Sequence, residues 1–576
     1  MGPGTVACAA AAQPLAMADS PDFPARRASL ALPVPYKHCA GRYGKDAAFR
    51  APGGLLLATP DGVMNLQRDP ENRTPLSKRA MNAASWGFAI SALSAVLSFG
   101  IHVWLARLLP PSDFGLVAMA FIFTGLARIL SNFGIPAAVV QRTDLTAEHV
   151  RTAFTINGLL GLAMTLALIA LAPLATLVFP EPRLPAVIRT LAPMFLFTGL
   201  GNTAGAILRR QLDFRRLFWI SILSYVIGFA GTAIPLALMG FGVWSLVTGY
   251  LVSPIVETAL LLALVRHPIR PMIGRRQTRE LAGYGVGISL AELLRFGARN
   301  GDNLVIGRYL GDGPLGLYTK AYGLMRMPAD YLGEVLNAVL FPAFAELQGE
   351  KRRLASAYLR STELAVLLSA PLLAGMVVAA PHMILGLLGP NWEGSILPLQ
   401  ILGLVGVLST GYPLSTNVAD AVGRVYAVSL RTGIFALAVI LFAFLALPRG
   451  LPGVAVAVTF AHVVMYVLMS GLALRSLDLS WSRFGRAHLP GLLVGAEVAI
   501  AAIAGRIALE AIGLSHFAIL VLLIVICAVA AYVGLRTFPV GVRPDSLLSV
   551  LRESLPRLPN FVQRILNTIL EPNGHR

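Results

Sequence analysis

From Asn82 onward the chain alternates long apolar runs with short polar breaks. A helix that crosses a hydrocarbon core needs about 20 apolar residues. Read at that length, the runs predict fourteen helices. The first six span 82–106, 113–135, 151–178, 184–207, 217–239 and 242–265. The next six span 281–309, 315–344, 355–380, 393–421, 426–447 and 451–474, and the last two 487–511 and 515–536. The fold class expected is an all-α integral membrane protein.

The polar breaks carry a second pattern. Breaks after even-numbered spans are rich in arginine, as in Arg209, Arg210, Arg215 and Arg216 after the fourth and Arg266, Arg270, Arg275, Arg276 and Arg279 after the sixth. Breaks after odd-numbered spans are short and nearly free of basic residues. Basic loops stay on the cytoplasmic side, so the even breaks and both termini are expected there. The break between spans 10 and 11 fits least well, with Arg424 alone.

An internal repeat lies on this pattern. RLLPPSDFGL, from Arg107 to Leu116, follows span 1, and RYLGDGPLGL, from Arg308 to Leu317, follows span 7. Arg107 pairs with Arg308 and Gly115 with Gly316, both at an offset of 201, and Leu109 with Leu310 and Ala120 with Ala321 keep that offset. A shift of six spans preserves orientation, so the repeat is parallel, with its pseudo-axis along the membrane normal. The organisation expected is an N-lobe over 82–265, a basic inter-lobe loop over 266–280, a C-lobe over 281–474, and two appended spans over 487–536. Residues 537–576 form a tail with leucines at helical spacing, which suits an interfacial helix. Residues 1–80 lack periodicity and are expected to be disordered. Met64 and Met81 lie closer to the first span, so an over-called start is a second reading of this segment.

Composition agrees: 56% of the 576 residues are hydrophobic and 13% charged, against about 25% charged in soluble domains. The net charge of +18 would point to nucleic acid in a soluble protein; here the alternate loops account for it, and no nucleic-acid partner is expected. Cys8, Cys39 and Cys527 form no metal or disulfide spacing. No phosphate loop, nucleophile elbow or histidine metal motif is present. Neither an enzyme nor a metal or cofactor site is expected.

Spans 7 and 8 break the apolar rule. Glu292, Arg295, Arg299 and Asp302 recur at three, four and three residues, which puts them on one helix face. Lys320, Arg326, Asp330, Glu334 and Asn337 share about a third of the circumference of the next helix. Each charge at mid-bilayer costs roughly 2.5–3.5 kcal/mol on insertion scales, so such stripes point to a polar cavity. Local pairing of Glu292 with Arg295, Arg299 with Asp302 and Arg326 with Asp330 is expected. The N-lobe adds Arg128, Asn132, Asn157 and Asn202, with Glu257 in span 6, and Asn417 and Asp420 close span 10. Arg128, Arg295, Arg299, Lys320 and Arg326 are the candidates for binding a large anion, since arginine forks match phosphate oxygens, and Asn132, Asn157 and Asn202 complete the substrate-binding set with side chains that suit sugars. Tyrosines Tyr284, Tyr318, Tyr322 and Tyr331 suit sugars. Glu292, Asp302, Asp330 and Glu334 are candidates for H+ or Na+ coupling.

The stretches Leu105–Arg142, Asn300–Gln348 and Leu388–Gly406, with Asn417 and Gly423-Arg424 after them, resemble the polysaccharide transporter branch of the multidrug/oligosaccharidyl-lipid/polysaccharide superfamily, which includes Wzx-type flippases. The resemblance covers about Ala83–Leu474. It implies two six-helix lobes around a central cavity plus two further helices, working by alternating access in a bacterial inner membrane. It implies an undecaprenyl-diphosphate-linked oligosaccharide as cargo, with polysaccharide polymerase and chain-length machinery as candidate partners beside the lipid bilayer. Its motif residues carry over to Arg107, Gly115, Asn300, Asp302, Gly307, Arg308, Gly311, Gly316, Tyr318, Tyr322, Pro328 and Pro342, expected to be mostly structural. The competing readings are a multidrug or small-solute antiporter of the same superfamily and a membrane polysaccharide polymerase or ligase.

Overall fold

A computed structural model describes residues 93–131, 134–142, 144–282 and 288–537. Within these, the side chains of 281–282, 288–291, 334–335, 337–339, 341–343, 345 and 537 lie outside the described set. The N-terminal segment and the tail considered above therefore fall largely outside it, as do Cys8, Cys39, Asn132 and Tyr284.

The described residues are helical, with no strand among them. We number the long helices in order. The N-lobe holds α1 (Leu93–Leu108), α2 (Pro111–Ser131), α3 (Ala147–Val178), α4 (Leu184–Arg210), α5 (Phe214–Leu238) and α6 (Val243–Leu264). The C-lobe holds α7 (Ile288–Tyr309), α8 (Asp312–Glu346), α9 (Lys351–Leu388), α10 (Pro390–Ala421), α11 (Val425–Ala446) and α12 (Gly450–Leu477). Then come α13 (Trp481–Ala511) and α14 (His516–Thr537), packed against α9. Ten helical stretches among the described residues are long and apolar enough to cross a membrane, with Val425–Leu477 counted as one. Helices α7 and α8 are long enough but too charged to join them. A polar helix, Arg275–Ala282, overlaps the expected start of span 7 at 281, residues 283–287 lie outside the described set, and α7 is described from Ile288.

The apolar core shows how the lobes meet. Its largest cluster draws on both lobes, joining Leu105, Leu116 and Leu191 to Ile306, Tyr318 and Trp392. These residues sit near the turns that follow odd-numbered helices. Toward the other end the clusters separate by lobe. Val139, Val150 and Leu208 belong to one cluster within the N-lobe, while Leu340, Tyr358 and Leu474 belong to one within the C-lobe. Among the described residues the apolar core thus joins the lobes at one end of the bundle, which we call the seam, and divides by lobe toward the other.

The repeat builds the seam. Helices α2 and α8 cross there, and the approach is close enough to require glycine. A Cβ on Gly115 would fall on the carbonyl of Asp312, and a Cβ on Gly316 would fall on that of Pro111. Pro111 and Asp312 are separated by the same 201 residues as Gly115 and Gly316. The two contacts are therefore one contact made twice about the pseudo-axis. Gly311, with φ of 91°, turns the chain between α7 and α8 in the left-handed region where glycine is unstrained.

Candidate functional site

Two charged regions flank the space between the lobes. The first is a cluster on the inner face of the C-lobe. On α7, Glu292 forms an ion pair with Arg295 at 3.2 Å and lies 3.7 Å from Arg299. On α8, Arg326 holds Asp330 at 2.9 Å. Arg299 lies within electrostatic reach of Arg326 and of Tyr412 on α10, and Asp420 is within reach of Arg295. Side-chain exposures of 51%, 41% and 27% for Arg295, Arg299 and Arg326 leave all three accessible. Phe296, beside Arg295, packs on α2 of the N-lobe at Gly125, so this side of α7 is turned toward the N-lobe. At 1.5 Å per residue, Arg299 and Arg326 lie about 15 and 21 Å from the seam end of their helices, which is mid-depth in a core of about 30 Å.

Among the described residues, two carboxylates are in ion-pair contact with these three arginines, and the Arg299 contact exceeds hydrogen-bond length. The cluster can therefore take up an anion by exchanging one carboxylate for phosphate oxygens. Arg128 is exposed on α2, one turn beyond Gly125, at the level of Glu292 on the opposite lobe.

Other sequence candidates sit elsewhere. The expected Arg299–Asp302 pair does not form. Asp302 is buried and accepts from the Tyr318 hydroxyl at 2.7 Å and from the Asn303 amide at 2.8 Å. Tyr318 stacks on Tyr322, which neighbours Arg326 and His462. Asp302 is thus linked to the arginine cluster through two tyrosines and has no direct pair with it. Lys320 leaves the cluster as well: its ammonium sits 3.9 Å from the Phe114 ring centre and 5.6 Å from that of Trp392, within the seam. Cation–π contact holds it there, away from the cavity position expected from the sequence stripe. Asn157 is buried inside the N-lobe and donates to Thr203 at 3.1 Å. Asn202 is half-buried on the neighbouring turn of α4. Glu257 accepts from Ser221 at 3.0 Å, within the N-lobe. The side chains of Glu334 and Asn337, like Asn132, lie outside the described residues.

The second region is the seam. The Arg107 guanidinium donates to the carbonyls of Leu387, at 2.7 Å, and Gly386, in the last turn of α9. The Arg308 guanidinium donates to the carbonyls of Leu177 at 2.9 Å and Val178 at 3.0 Å, in the last turn of α3. Each lobe thus caps a helix C-terminus of the other. Arg183 adds an ion pair across the lobes, at 2.7 Å from Asp312, while holding Glu181 at 2.8 Å. That Arg183 bond keeps the Glu181 carboxyl below its ordinary range. Trp392, fully buried, donates from its indole to the Ala106 carbonyl at 2.7 Å.

On the opposite end the inter-lobe segment is docked on the N-lobe. Glu280 contacts Arg142 at 2.7 Å, His149 at 3.0 Å and Arg276 at 2.9 Å. The His149 and Arg276 hydrogen bonds pull its carboxyl down to about 2, so it stays ionised at ordinary pH. The basic loop expected over 266–280 therefore has its own acidic anchor.

Sequence reasoning missed Tyr412, His462 and Trp392. Each interrupts an apolar run with a polar atom, and that signal was available. It also missed His382, which joins His516 and Glu510 at 3.0 Å each, where α13 and α14 meet α9. Among the described residues, no group of three or more His, Cys, Asp or Glu could hold a metal ion.

A family profile described as polysaccharide biosynthesis protein matches residues 104–397. The chain is similar to the lipopolysaccharide biosynthesis protein WzxC of Escherichia coli (strain K12), at 27% identity over 59% of this chain and 70% of that protein. It is 30% identical to the succinoglycan biosynthesis transport protein ExoT of Rhizobium meliloti (strain 1021), over 57% of this chain and 66% of that one. Among solved structures, the lipid II flippase MurJ in an inward closed conformation aligns with a TM-score of 0.61. The match has 14% identity and covers 77% of this chain and 97% of that one. An inward-facing multidrug resistance MATE family transporter aligns with a TM-score of 0.55, at 18% identity, over 66% and 94%. At such identities these two matches show a shared fold.

Proposed function

The chain belongs to the polysaccharide biosynthesis protein family, and from that premise we propose that it is a flippase. It moves a polyprenyl-diphosphate-linked oligosaccharide across a bacterial inner membrane for the synthesis of surface polysaccharide. It works by alternating access and carries out no chemical conversion. The observation that supports this most is the arginine cluster at mid-depth on the inner face of the C-lobe. A diphosphate brings two adjacent anionic groups, and guanidinium forks on neighbouring helices suit it. The glycan would follow into the gap between the lobes, and the polyprenyl tail would stay in lipid.

Fourteen crossings follow on this reading. The two helices within Val425–Leu477 count separately, and α1, α7 and α8 join the others. The basic loops support a seam at the periplasmic face and a gap at the cytoplasmic face. That orientation suits loading, because the cargo would be built in the cytoplasm. A polymerase and chain-length machinery are the partners expected to consume the product.

Asp302 is the coupling carboxyl we favour, with Glu292 and Asp330 as alternatives. It is buried, and two tyrosines separate it from the cargo arginines, so a proton or Na+ there can bias the lobe without touching cargo. Asp302→Asn keeps the Tyr318 contact possible as a neutral hydrogen bond. The variant should accumulate to the native level and lose at least tenfold in export rate, about 1.4 kcal/mol on the cycle. Export at the native rate in Asp302→Asn removes it from coupling.

The multidrug reading shares the fold of the MATE-type transporter. The two separate in a deletion strain. Loss of surface polysaccharide with unchanged drug susceptibility is the expected result. Raised drug sensitivity with intact polysaccharide overturns the flippase assignment.

A further inference from the structure

The motif arginines of the repeat make a contact that the cargo site does not use. In the last turn of a helix the carbonyls lack intrahelical partners, and in lipid an unsatisfied carbonyl is costly. The final turns of α3 and α9 meet this need across the lobe boundary, through Arg308 and Arg107 respectively. The two arginines occupy equivalent positions in the repeat, and so do the helices whose ends they cap. A cation at a helix C-terminus also answers the helix dipole. If each lobe only needed capping, a donor from its own chain segment would do. These donors come from the opposite lobe, so they hold only while the seam is shut.

From this geometry we propose that Arg107 and Arg308 are paired positioning residues that latch the outer face, each releasing its carbonyls when the transporter opens outward. The inference rests on the alternating-access reading for its role in transport. The two latches are not equivalent in surroundings. The α3 end is reinforced by the Arg183–Asp312 ion pair. The α9 end is backed by α14, whose first residues, His516 and Phe517, pack on Gly386. Three features share the work of closure: the arginine latches, the reciprocal glycine crossing and the Trp392 bond to Ala106. The latches are the part that can be released without unpacking apolar core.

The test is a distance measurement across the seam in the full-length protein. Cys8, Cys39 and Cys527 are replaced by Ser, and spin labels are placed at Met239→Cys and Arg449→Cys. Both positions are exposed, one on each lobe, in turns at the seam end. In lipid nanodiscs without cargo, the native sequence should give one short distance. Arg107→Ala and Arg308→Ala should each shift the closed-to-open ratio about tenfold, as expected for losing a charge-assisted bond. The double variant should populate the longer distance as its main state. An unchanged distribution in a folded double variant overturns the latch. Should the double variant not fold, Arg107→Lys and Arg308→Lys decide. Lysine keeps the charge and loses the fork, so partial opening is expected and an unchanged distribution overturns the proposal. The cargo assignment is scored separately. Unchanged distances with polysaccharide lost on deletion reject the latch and keep the flippase. An opened seam with polysaccharide intact on deletion does the reverse.

Discussion

Cells carrying Arg299→Ala should lose surface polysaccharide while the protein still reaches the membrane at its native level. A hydrogen bond to a charged group contributes about 1.5–3 kcal/mol, so one lost fork corresponds to roughly a 10- to 100-fold weaker hold on a diphosphate. Of the three cluster arginines, Arg299 has the longest carboxylate contact, at 3.7 Å. Removing it leaves the Glu292–Arg295 and Arg326–Asp330 pairs in place, so folding should be spared. Adding Arg326→Ala should bring export below detection. Arg299→Lys should retain part of it, since lysine offers a point charge without the fork. Arg128→Ala, on the facing lobe, should also lose export. Normal polysaccharide in both Arg299→Ala and Arg128→Ala rejects the cationic site.

Gly316→Val should be nearly as damaging for a different reason. Its Cβ would land on the Pro111 carbonyl, and Gly115→Val would land on that of Asp312. The obstacle in each case is backbone, which cannot swing aside as a side chain can. Helices α2 and α8 must separate, and the shared core around Leu116 and Tyr318 loosens with them. Overpacking of a tight core costs about 1–3 kcal/mol, and here it falls on the junction of the lobes. We expect a lower melting temperature for the purified protein and loss of export. Gly323, two turns along α8, provides the control. A Cβ there meets nothing within 4 Å, and alanine is the better helix former by about 1 kcal/mol. Gly323→Ala should therefore be neutral or slightly stabilising. Native-like melting and export in Gly316→Val would mean that the lobes do not meet as described.

Much of this architecture was legible in the residues. Apolar runs marked the helices because in lipid every backbone group must be satisfied within its own segment. The repeat was visible because both copies must make the same turn and the same crossing. Helical period correctly paired Glu292 with Arg295 and Arg326 with Asp330, which are contacts within one helix. It failed for Asp302, whose partner Tyr318 stands on the next helix. It failed again for Lys320, whose stripe faced a cavity on paper but whose ammonium meets Phe114 of the other lobe. Asn157 went astray likewise, since its partner Thr203 is set by the packing of α3 on α4. The motif arginines and glycines were recognised as structural, yet their reciprocity could be read only once the lobes were docked. Period along one helix fixes a face; it does not say what that face meets.

The most direct test of the flippase assignment is leaflet-resolved detection of the lipid-linked oligosaccharide in inner membranes of cells lacking this protein. In such cells the units should accumulate in the cytoplasmic leaflet, beyond reach of a membrane-impermeant probe applied from the periplasmic side. Restoring the native chain, but not Arg299→Ala, should bring them within reach. Units that accumulate in the periplasmic leaflet of the deletion strain would rule out a translocation role and point to a later step.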